Sequence, residues 1–432
     1  MNIHLLKKKD FSLLMLGKLV SLIGTEMQDF ALSLYVYKIT GSATAFASVL
    51  ALAVLPRLFL GPIAGVFVDW FDRKNIIVYL DILSGLLIGS SAIVYIINGG
   101  LTLLHVYALV VLLSIVSVMF NPAITTVIPT IMKKEELADA NALNSFILHI
   151  GAFIAPVLAG ILFGLYGLLV VLMINSISFI LSAMSEFYIN IPKVNSKPKK
   201  LDFSSFKGDF AEGIKFLINK KIIFTIVFLS MLANFSFVPV MSIGVIYISK
   251  TILKVSDYQY GLIQSVTVFG FILGPIIGSV IMKKFKESRI IVTYILLDGF
   301  ILALLSLITT DFFINLFSSN IIPYIYLLVI AFLLALVTST GSIAVNTVIQ
   351  KVVPISIMGR VTAVMVAMTT AATPLGQMVF GVLFDKIDTW ICIMIASLSL
   401  IFCIIVFKKS IYNHDSYIGE GSKNLIPMGK LH

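Results

Sequence analysis

The sequence predicts an all-α polytopic membrane protein with twelve transmembrane helices in two six-helix pseudo-repeats. Three observations predict this fold class: the composition, the length of the apolar runs and the placement of the basic residues. Of the 432 residues, 59% are hydrophobic and only 12% are charged, whereas a soluble domain has about 25% charged residues. So few charges cannot form an ordinary solvated surface, and the chain therefore needs lipid around it.

The apolar residues fall into runs of about 20 or more, the length that an α-helix needs to cross the hydrocarbon core of a bilayer. We predict twelve spans, at roughly 11–37, 43–68, 76–97, 102–128, 141–165, 167–189, 222–249, 258–282, 290–309, 324–350, 359–384 and 389–408. The first run is too long for the apolar region of a signal peptide and carries two acids. It is therefore interpreted as a span.

The basic residues are concentrated in alternate links between these spans. With a cytoplasmic N-terminus, 25 of the 31 Lys and Arg residues fall on the cytoplasmic side, as the positive-inside rule requires. This pattern predicts a multi-pass protein of a bacterial plasma membrane with both termini in the cytoplasm. It also accounts for the net charge of +10 without a nucleic-acid partner.

A long polar link divides six spans from six. We expect an N-terminal bundle at 1–189, a cytoplasmic linker at 190–221 with a short amphipathic helix near 203–218, and a C-terminal bundle at 222–409. The polar tail at 410–432 is expected to be disordered.

Short segments recur in the two halves. GPIAG at 61–65 returns as GPIIG at 274–278, TTVIP at 125–129 as NTVIQ at 346–350, and GILFG at 160–164 as GVLFD at 381–385. The offsets are nearly constant at 213 to 221 residues, which indicates a duplication. A six-plus-six repeat is typical of transporters that alternate access around a site near the bilayer midplane.

The link after span 2 concentrates charge. Arg73 and Lys74 could be positive-inside anchors alone. Asp69 does not serve that rule, and it lies at a helix end where the dipole is negative. It therefore needs a cation or a helix N-terminus nearby. Before it, Gly61 and Gly65 lie four residues apart and permit close helix approach, although simple tight packing is the plainer interpretation.

The spacing G-x-x-x-D-x-x-x-R-K resembles the signature loop of the major facilitator superfamily. Gly65, Asp69, Arg73 and Lys74 stand at its positions. The sequence departs from the pattern where Trp70 replaces the usual basic residue and Asp72 the usual glycine.

Further motifs resemble the macrolide-efflux-like branch of the drug:proton antiporters. They are TGSA at 40–43 after span 1, MGRVTAV at 358–364, and TPLGQMVFGVLFD at 373–385. The resemblance extends over nearly the whole chain to about residue 408. It implies the fold of that superfamily, with a cytoplasmic latch in which Asp69 bonds near Gly359 and Arg360 and stabilises the outward-open state.

Span 5 carries a related motif. GAFIAPVLAG at 151–160 resembles the antiporter motif, with Ala155 and Ala159 in place of two glycines. A proline-kinked packing helix explains it equally well. The helix-packing positions predicted across the chain are Gly61, Gly151, Pro156, Gly160, Gly274 and Gly278.

Charged residues within the first two spans are the candidate coupling site. Glu26 and Asp29 share one face of span 1, and each charge at that depth costs about 2.5–3.5 kcal/mol. Two carboxylates there repel, so either one carries a proton or a cation stands beside them. Arg57 in span 2 is the obvious cation. We interpret the three as a site for protons and cationic substrate; the alternative is a charge cluster that only locks the bundle. Secondary candidates are Asp298, His149, Asn234 and Gln377.

No phosphate-binding G-x-x-x-x-G-K and no H-E-x-x-H or serine elbow occurs in the sequence. We therefore expect neither an ATP-driven pump nor an enzyme, and no cofactor or metal. The expected function is secondary export of hydrophobic or amphipathic compounds by a monomer, driven by the proton gradient. A lysophospholipid flippase, a siderophore or metabolite exporter of the same superfamily, and a non-transporting sensor are the alternatives.

Overall fold

The computed structural model describes residues 3–69, 72–133, 136–192, 203–354 and 357–423. Over these residues the regular structure is helical, and no β-strand occurs. The helices are α1 Lys9–Thr40, α2 Ala43–Asp69, α3 Arg73–Asn98, α4 Leu103–Ile131, α5 Leu137–Phe187, α6 Phe203–Asn219, α7 Lys221–Pro239, α8 Val245–Tyr247, α9 Asp257–Ile281, α10 Glu287–Leu307, α11 Asp311–Asn315, α12 Ile321–Val352, α13 Met358–Lys386 and α14 Thr389–Lys423.

Twelve membrane crossings are consistent with these helices, as the sequence predicts. In the described part, ten helical stretches are long and apolar enough to cross a bilayer. One of them, Asp139–Phe187, has 49 residues and accommodates two spans, since Gly167 breaks the helix with a φ of 76°. This conformation favours glycine. The remaining crossing is α1, which has 32 residues. Helix α1 is long enough to cross a bilayer, but its charged residues make it less apolar than the ten stretches. The chain is therefore a multi-pass helical membrane protein.

The repeat predicted from the sequence has a counterpart in the packing. In the first half, the Ser176 hydroxyl donates to the Gly85 carbonyl at 2.7 Å. In the second half, the Ser397 hydroxyl donates to the Gly299 carbonyl at 2.7 Å. The paired glycines are 214 residues apart and the paired serines 221. The same glycine-to-serine contact thus joins span 3 to span 6 and span 9 to span 12, which supports the duplication.

The chain divides into two compact units whose boundaries differ from the predicted bundles. The first unit comprises Met1–Asp202, Val245–Val268 and Gln377–Lys386, and the second comprises Phe203–Gly244, Phe269–Gly376 and Ile387–His432. Two segments of the second half therefore pack with the first unit. Close backbone contacts explain this assignment: a Cβ at Gly160 would lie 2.6 Å from the Asp257 carbonyl, and one at Gly381 would lie 2.6 Å from the Ala47 Cβ.

Both regions outside the predicted spans contain helix. The amphipathic helix expected near 203–218 is confirmed as α6. The backbone of α14 continues to Lys423; residues 424–432 lie outside the described residues, and the prediction of a disordered tail stays a prediction. No proline interrupts the sequence between Thr389 and Pro427, so the last span can extend as helix past its apolar part.

The N-terminal segment is held to the link before α5. The Lys8 ammonium donates to both carboxylate oxygens of Glu136, at 2.6 and 2.7 Å. This hydrogen bond lowers the pKa of Glu136. The contact is accordingly present at neutral pH and weakens as the pH falls through that lowered pKa.

Candidate functional site

The acid cluster consists of Glu26 and Asp29 on α1 and Arg57 on α2. Glu26 and Arg57 both influence the Asp29 carboxylate electrostatically, but the described residues show no hydrogen bond or ion pair among the three side chains, so their direct meeting stays a prediction. Asp29 and Arg57 are exposed, and Glu26 is half-buried. The cluster therefore presents an accessible carboxylate and an accessible cation midway along apolar helices.

The neighbouring residues fix the orientation of α1. Asn175 on α5 donates to the buried Gln28 side chain at 2.9 Å, and Gly24 allows α5 to approach closely, since a Cβ there would meet Asn175 and Ser178. With Gln28 turned toward α5, the next residue on the helix, Asp29, is directed about 100° away from that contact. The direction of Asp29 is therefore set by the packing of the adjacent Gln28 against α5.

A buried aromatic contact lies one residue further along α1. Phe30 stacks on Tyr260 of α9, with ring centroids 5.1 Å apart, and the Gln264 amide donates to the Tyr260 hydroxyl at 2.8 Å. Both rings are buried, so this contact joins α1 to α9 and helps to fix the position of the helix that carries Asp29.

The signature loop is only partly described. The side chains of Gly65 and Asp69 lie outside the described residues, so the predicted latch contact of Asp69 stays a prediction. Asp72 caps α3, with its carboxylate accepting from the Lys74 backbone N–H at 2.9 Å. This role explains an acid where the superfamily pattern has glycine. Arg73 donates to Thr130 of α4 at 3.3 Å.

The other predicted latch residues lie at the start of α13. Gly359 is exposed, with no described atom near a Cβ built on it. Arg360 donates to the Glu212 carboxylate at 2.6 Å. At Gly213 a Cβ would lie 3.0 Å from the Arg360 carbonyl. The linker helix α6 therefore docks on the N-terminus of α13, a contact that the sequence did not predict.

The predicted packing glycines differ in their surroundings. A Cβ at Gly151 would lie 2.7 Å from Leu22, one at Gly274 would meet Ser339, and one at Gly278 would lie 3.0 Å from the Thr340 carbonyl. At Gly61 the same Cβ meets no described atom within 4 Å, so close packing there has no support from the described residues.

The span 5 motif packs against α9. A Cβ at Gly261 of α9 would lie 2.5 Å from the Pro156 carbonyl. Ser265 donates to the Phe153 carbonyl at 2.7 Å. Together with the contact at Gly160, these make one continuous helix interface.

The secondary candidates are dispersed. Asp298 is buried and accepts a hydrogen bond from Thr338 at 2.8 Å. Asn234 accepts from Thr373 at 3.0 Å. Gln377 is buried, and His149 is exposed. Asp298 and Asn234 belong to the second unit, whereas Gln377, His149 and the acid cluster belong to the first.

Asp385 at the C-terminal end of α13 is a residue that sequence reasoning missed. Its carboxylate accepts from the Ser42 hydroxyl at 2.7 Å, the Ala43 N–H at 2.7 Å and the Thr44 N–H at 2.9 Å. One carboxylate thus binds the N-terminus of α2, where the helix dipole favours a negative charge. The signal was present, since these residues belong to the TGSA and TPLGQMVFGVLFD segments, but their spacing in the chain does not show that they meet.

Comparison with known proteins agrees with this architecture. The family described as transmembrane secretion effector matches residues 3–424. Macrolide efflux protein A of Streptococcus pyogenes is 24% identical over 412 residues, which cover 92% of this chain and 95% of that protein. Multidrug efflux pump Tap of Mycolicibacterium fortuitum is 22% identical, over 88% of this chain and 90% of that protein.

Solved structures show the same fold at lower identity. A bacterial homologue of the iron transporter ferroportin has a TM-score of 0.72 at 17% identity, covering 92% of this chain and 98% of its own. The nucleoside transporter NupG has a TM-score of 0.69 at 14% identity, covering 94% and 99%. With the match along almost its full length, the chain belongs to the transmembrane secretion effector family of the major facilitator superfamily.

Proposed function

We propose that the protein is a secondary exporter of hydrophobic or amphipathic compounds, of the macrolide and multidrug type, and that inward proton flow drives it. The observation that carries the proposal is the accessible acid cluster of Glu26, Asp29 and Arg57 in a chain whose curated relatives, similar over most of its length, include macrolide and multidrug efflux proteins. Proton gradient and substrate are then the only inputs, and no cofactor takes part.

The cluster supports coupling through competition. A carboxylate exposed within apolar helices binds either a proton or the cationic part of a substrate, because both neutralise the same charge. Arg57 holds a second carboxylate ionised. Binding of one ligand therefore weakens binding of the other, which is the reciprocal linkage that an antiporter needs.

Substrate accumulation tests the function. In bacterial cells that lack their own drug pumps, expression should lower the accumulation of a macrolide and of a lipophilic cationic dye, and a protonophore should restore it. The Asp311→Asn variant is a matched control, because this acid is exposed on the short helix α11. If accumulation of both compounds is unchanged and a lysophospholipid or a siderophore is exported instead, the proposed substrate class is wrong and one of the alternative classes is right.

The proposed orientation places both termini, the signature loop and α6 in the cytoplasm of a bacterial cell. Cysteine placed at Ser204 in a cysteine-free background should then react only from inside. Cysteine at the exposed Ser319, between α11 and α12, should react only from outside. The reverse pattern would invert the proposed direction of export.

The latch is the second proposed element. Asp69→Asn should remove most transport while the protein still folds and inserts, because the carboxylate's partner is needed in only one conformation. Its effect should be non-additive with Arg360→Ala. Since Arg360 also pairs with Glu212, the Glu212→Gln variant separates loss of that ion pair from loss of the latch. Normal transport by Asp69→Asn would leave the loop as a topological anchor only.

A further inference from the structure

Two buried carboxyl groups outside the acid cluster lie on neighbouring helices of the first unit, near enough to influence each other electrostatically. Asp81 lies on α3 and Glu186 in the last turn of α5, and each is 1% exposed. The two helices are held together by the hydrogen bond between Ser176 and the Gly85 carbonyl. The Asp81 and Glu186 carboxyls are close enough to repel when both are ionised. Neither residue was singled out by its sequence pattern as a binding site.

The pair is short of hydrogen-bond donors. Among the described residues, Asp81 Oδ2 and Glu186 Oε2 have no hydrogen-bond partner. Ser182 is 1% exposed and lies one turn before Glu186, where its hydroxyl can donate to Asp81. A buried polar oxygen without a partner costs on the order of 1–3 kcal/mol, and an unpaired buried carboxylate costs more. Two neighbouring carboxyl groups with only one hydroxyl to donate to them therefore indicate a ligand that supplies a further donor.

The charged side chains on the surrounding helices are directed elsewhere. Lys18 of α1 donates to Asn144, Arg73 of α3 donates to Thr130, Lys74 lies over the Phe187 ring, and Asp10 of α1 accepts from the Asn190 N–H. On helix α4, His105 hydrogen-bonds Thr102. This contact lies at the start of α4, far from Thr130 at its end. The charge interaction that Glu186 makes is with Asp81. The pair thus has no counter-ion among these groups.

We infer that Asp81 and Glu186 form a second proton-binding site in which the two carboxyl groups share one proton. Binding converts one carboxylate to a carboxylic acid, and its O–H then donates to the oxygen of the other carboxylate. One proton thereby removes the repulsion and supplies the missing donor. Oxygen ligands could also bind a sodium ion. Three oxygens are few ligands for a sodium ion without water, whereas a shared proton needs only two oxygen atoms.

The position of the pair assigns it a role. Asp81 lies eight residues from the start of α3, about 12 Å along the helix, and Glu186 lies next to the end of α5. In the proposed orientation this is the cytoplasmic end, so the site would receive the proton before its release to the cytoplasm. This role rests on the proposed proton coupling, whereas the binding of the proton itself does not.

Infrared spectroscopy of the purified protein tests the site independently of transport. At neutral pH the wild type should show a protonated-carboxyl C=O band that weakens in both Asp81→Asn and Glu186→Gln. Unfolding should also become easier for the wild type as pH rises, by up to tenfold in the equilibrium constant per pH unit for one released proton. Each single variant should flatten this dependence, because an amide donates where the proton did.

Asp311→Asn is the control, since this acid is exposed on the short helix α11. It should leave the pH dependence that belongs to the pair intact. An unchanged carboxyl band in both pair variants would overturn the proposal. The proposal would also be overturned if sodium, but not potassium, stabilised the wild type against unfolding and both variants lost this effect. The ligand would then be a metal ion. If the carboxyl bands behave as expected but the wild type shows no proton-driven export, the proposed function is wrong and the proton site stands.

Discussion

Neutralising either acid of the cluster is expected to abolish uphill export. Glu26→Gln and Asp29→Asn each preserve side-chain shape and remove the charge for which proton and substrate compete. Export against a gradient should fall to the level of cells without the protein, while at least one variant retains downhill exchange, because substrate binding and coupling are separate properties. The measurement is proton-driven substrate transport in liposomes alongside substrate-induced fluorescence quenching.

The pH dependence of binding follows from the same competition. Quenching by a cationic substrate should weaken as the pH falls in the wild type, since protons displace it, and should become insensitive to pH in Asp29→Asn. Asp311→Asn should behave as wild type. Full proton-driven export by the double Gln/Asn variant would exclude the cluster as the coupling site and leave Asp298 or His149 as the next candidates.

Removing the Asp385 carboxylate is expected to weaken the contact between α13 and α2. Asp385→Ala leaves the first two N–H groups of α2 and the Ser42 hydroxyl without their acceptor. Because the carboxylate is exposed, the loss is about 0.5–1 kcal/mol, the lower part of the range for helix caps. That energy shifts an equilibrium between two conformers by roughly two- to fivefold. Transport should fall if the contact between α13 and α2 must form once in each cycle.

A graded series checks this cap. Asp385→Asn keeps an acceptor oxygen and should lose less transport than Asp385→Ala. Ser42→Ala removes one of the three donors and should lie between wild type and Asp385→Ala. Lys386→Ala is the control, because this neighbouring side chain is exposed and makes none of these bonds. Equal transport by Asp385→Ala and wild type, with equal melting temperatures, would show that the contact is incidental.

The membrane fold could be read from local sequence because its causes are local. A run of about 20 apolar residues must form a helix in lipid, since the hydrocarbon core offers no other partner for backbone polar groups. The resemblance carried by Gly65, Asp69, Arg73 and Lys74 is confirmed by the family match over residues 3–424. The meeting of Glu26 with Asp29 is local as well, because residues three apart share a helix face.

The unit boundaries were not predictable in the same way. The division at 190–221 follows the longest polar link, whereas the compact units follow close packing at glycines such as Gly160 and Gly381. Composition does not record which helix a glycine faces.

The sequence by itself thus determined the number of spans, the repeat and the residues that could carry charge in the membrane. Only the tertiary structure decided which of those charges meet. Asp385 binds a helix N-terminus 341 to 343 residues away, and Asp81 of α3 influences Glu186 of the neighbouring α5 electrostatically. In lipid nearly every helix face is apolar, so hydropathy does not distinguish the face that packs from the face that contacts lipid. Side-chain shape and hydrogen bonding between helices make that choice, and these act only once the helices are assembled.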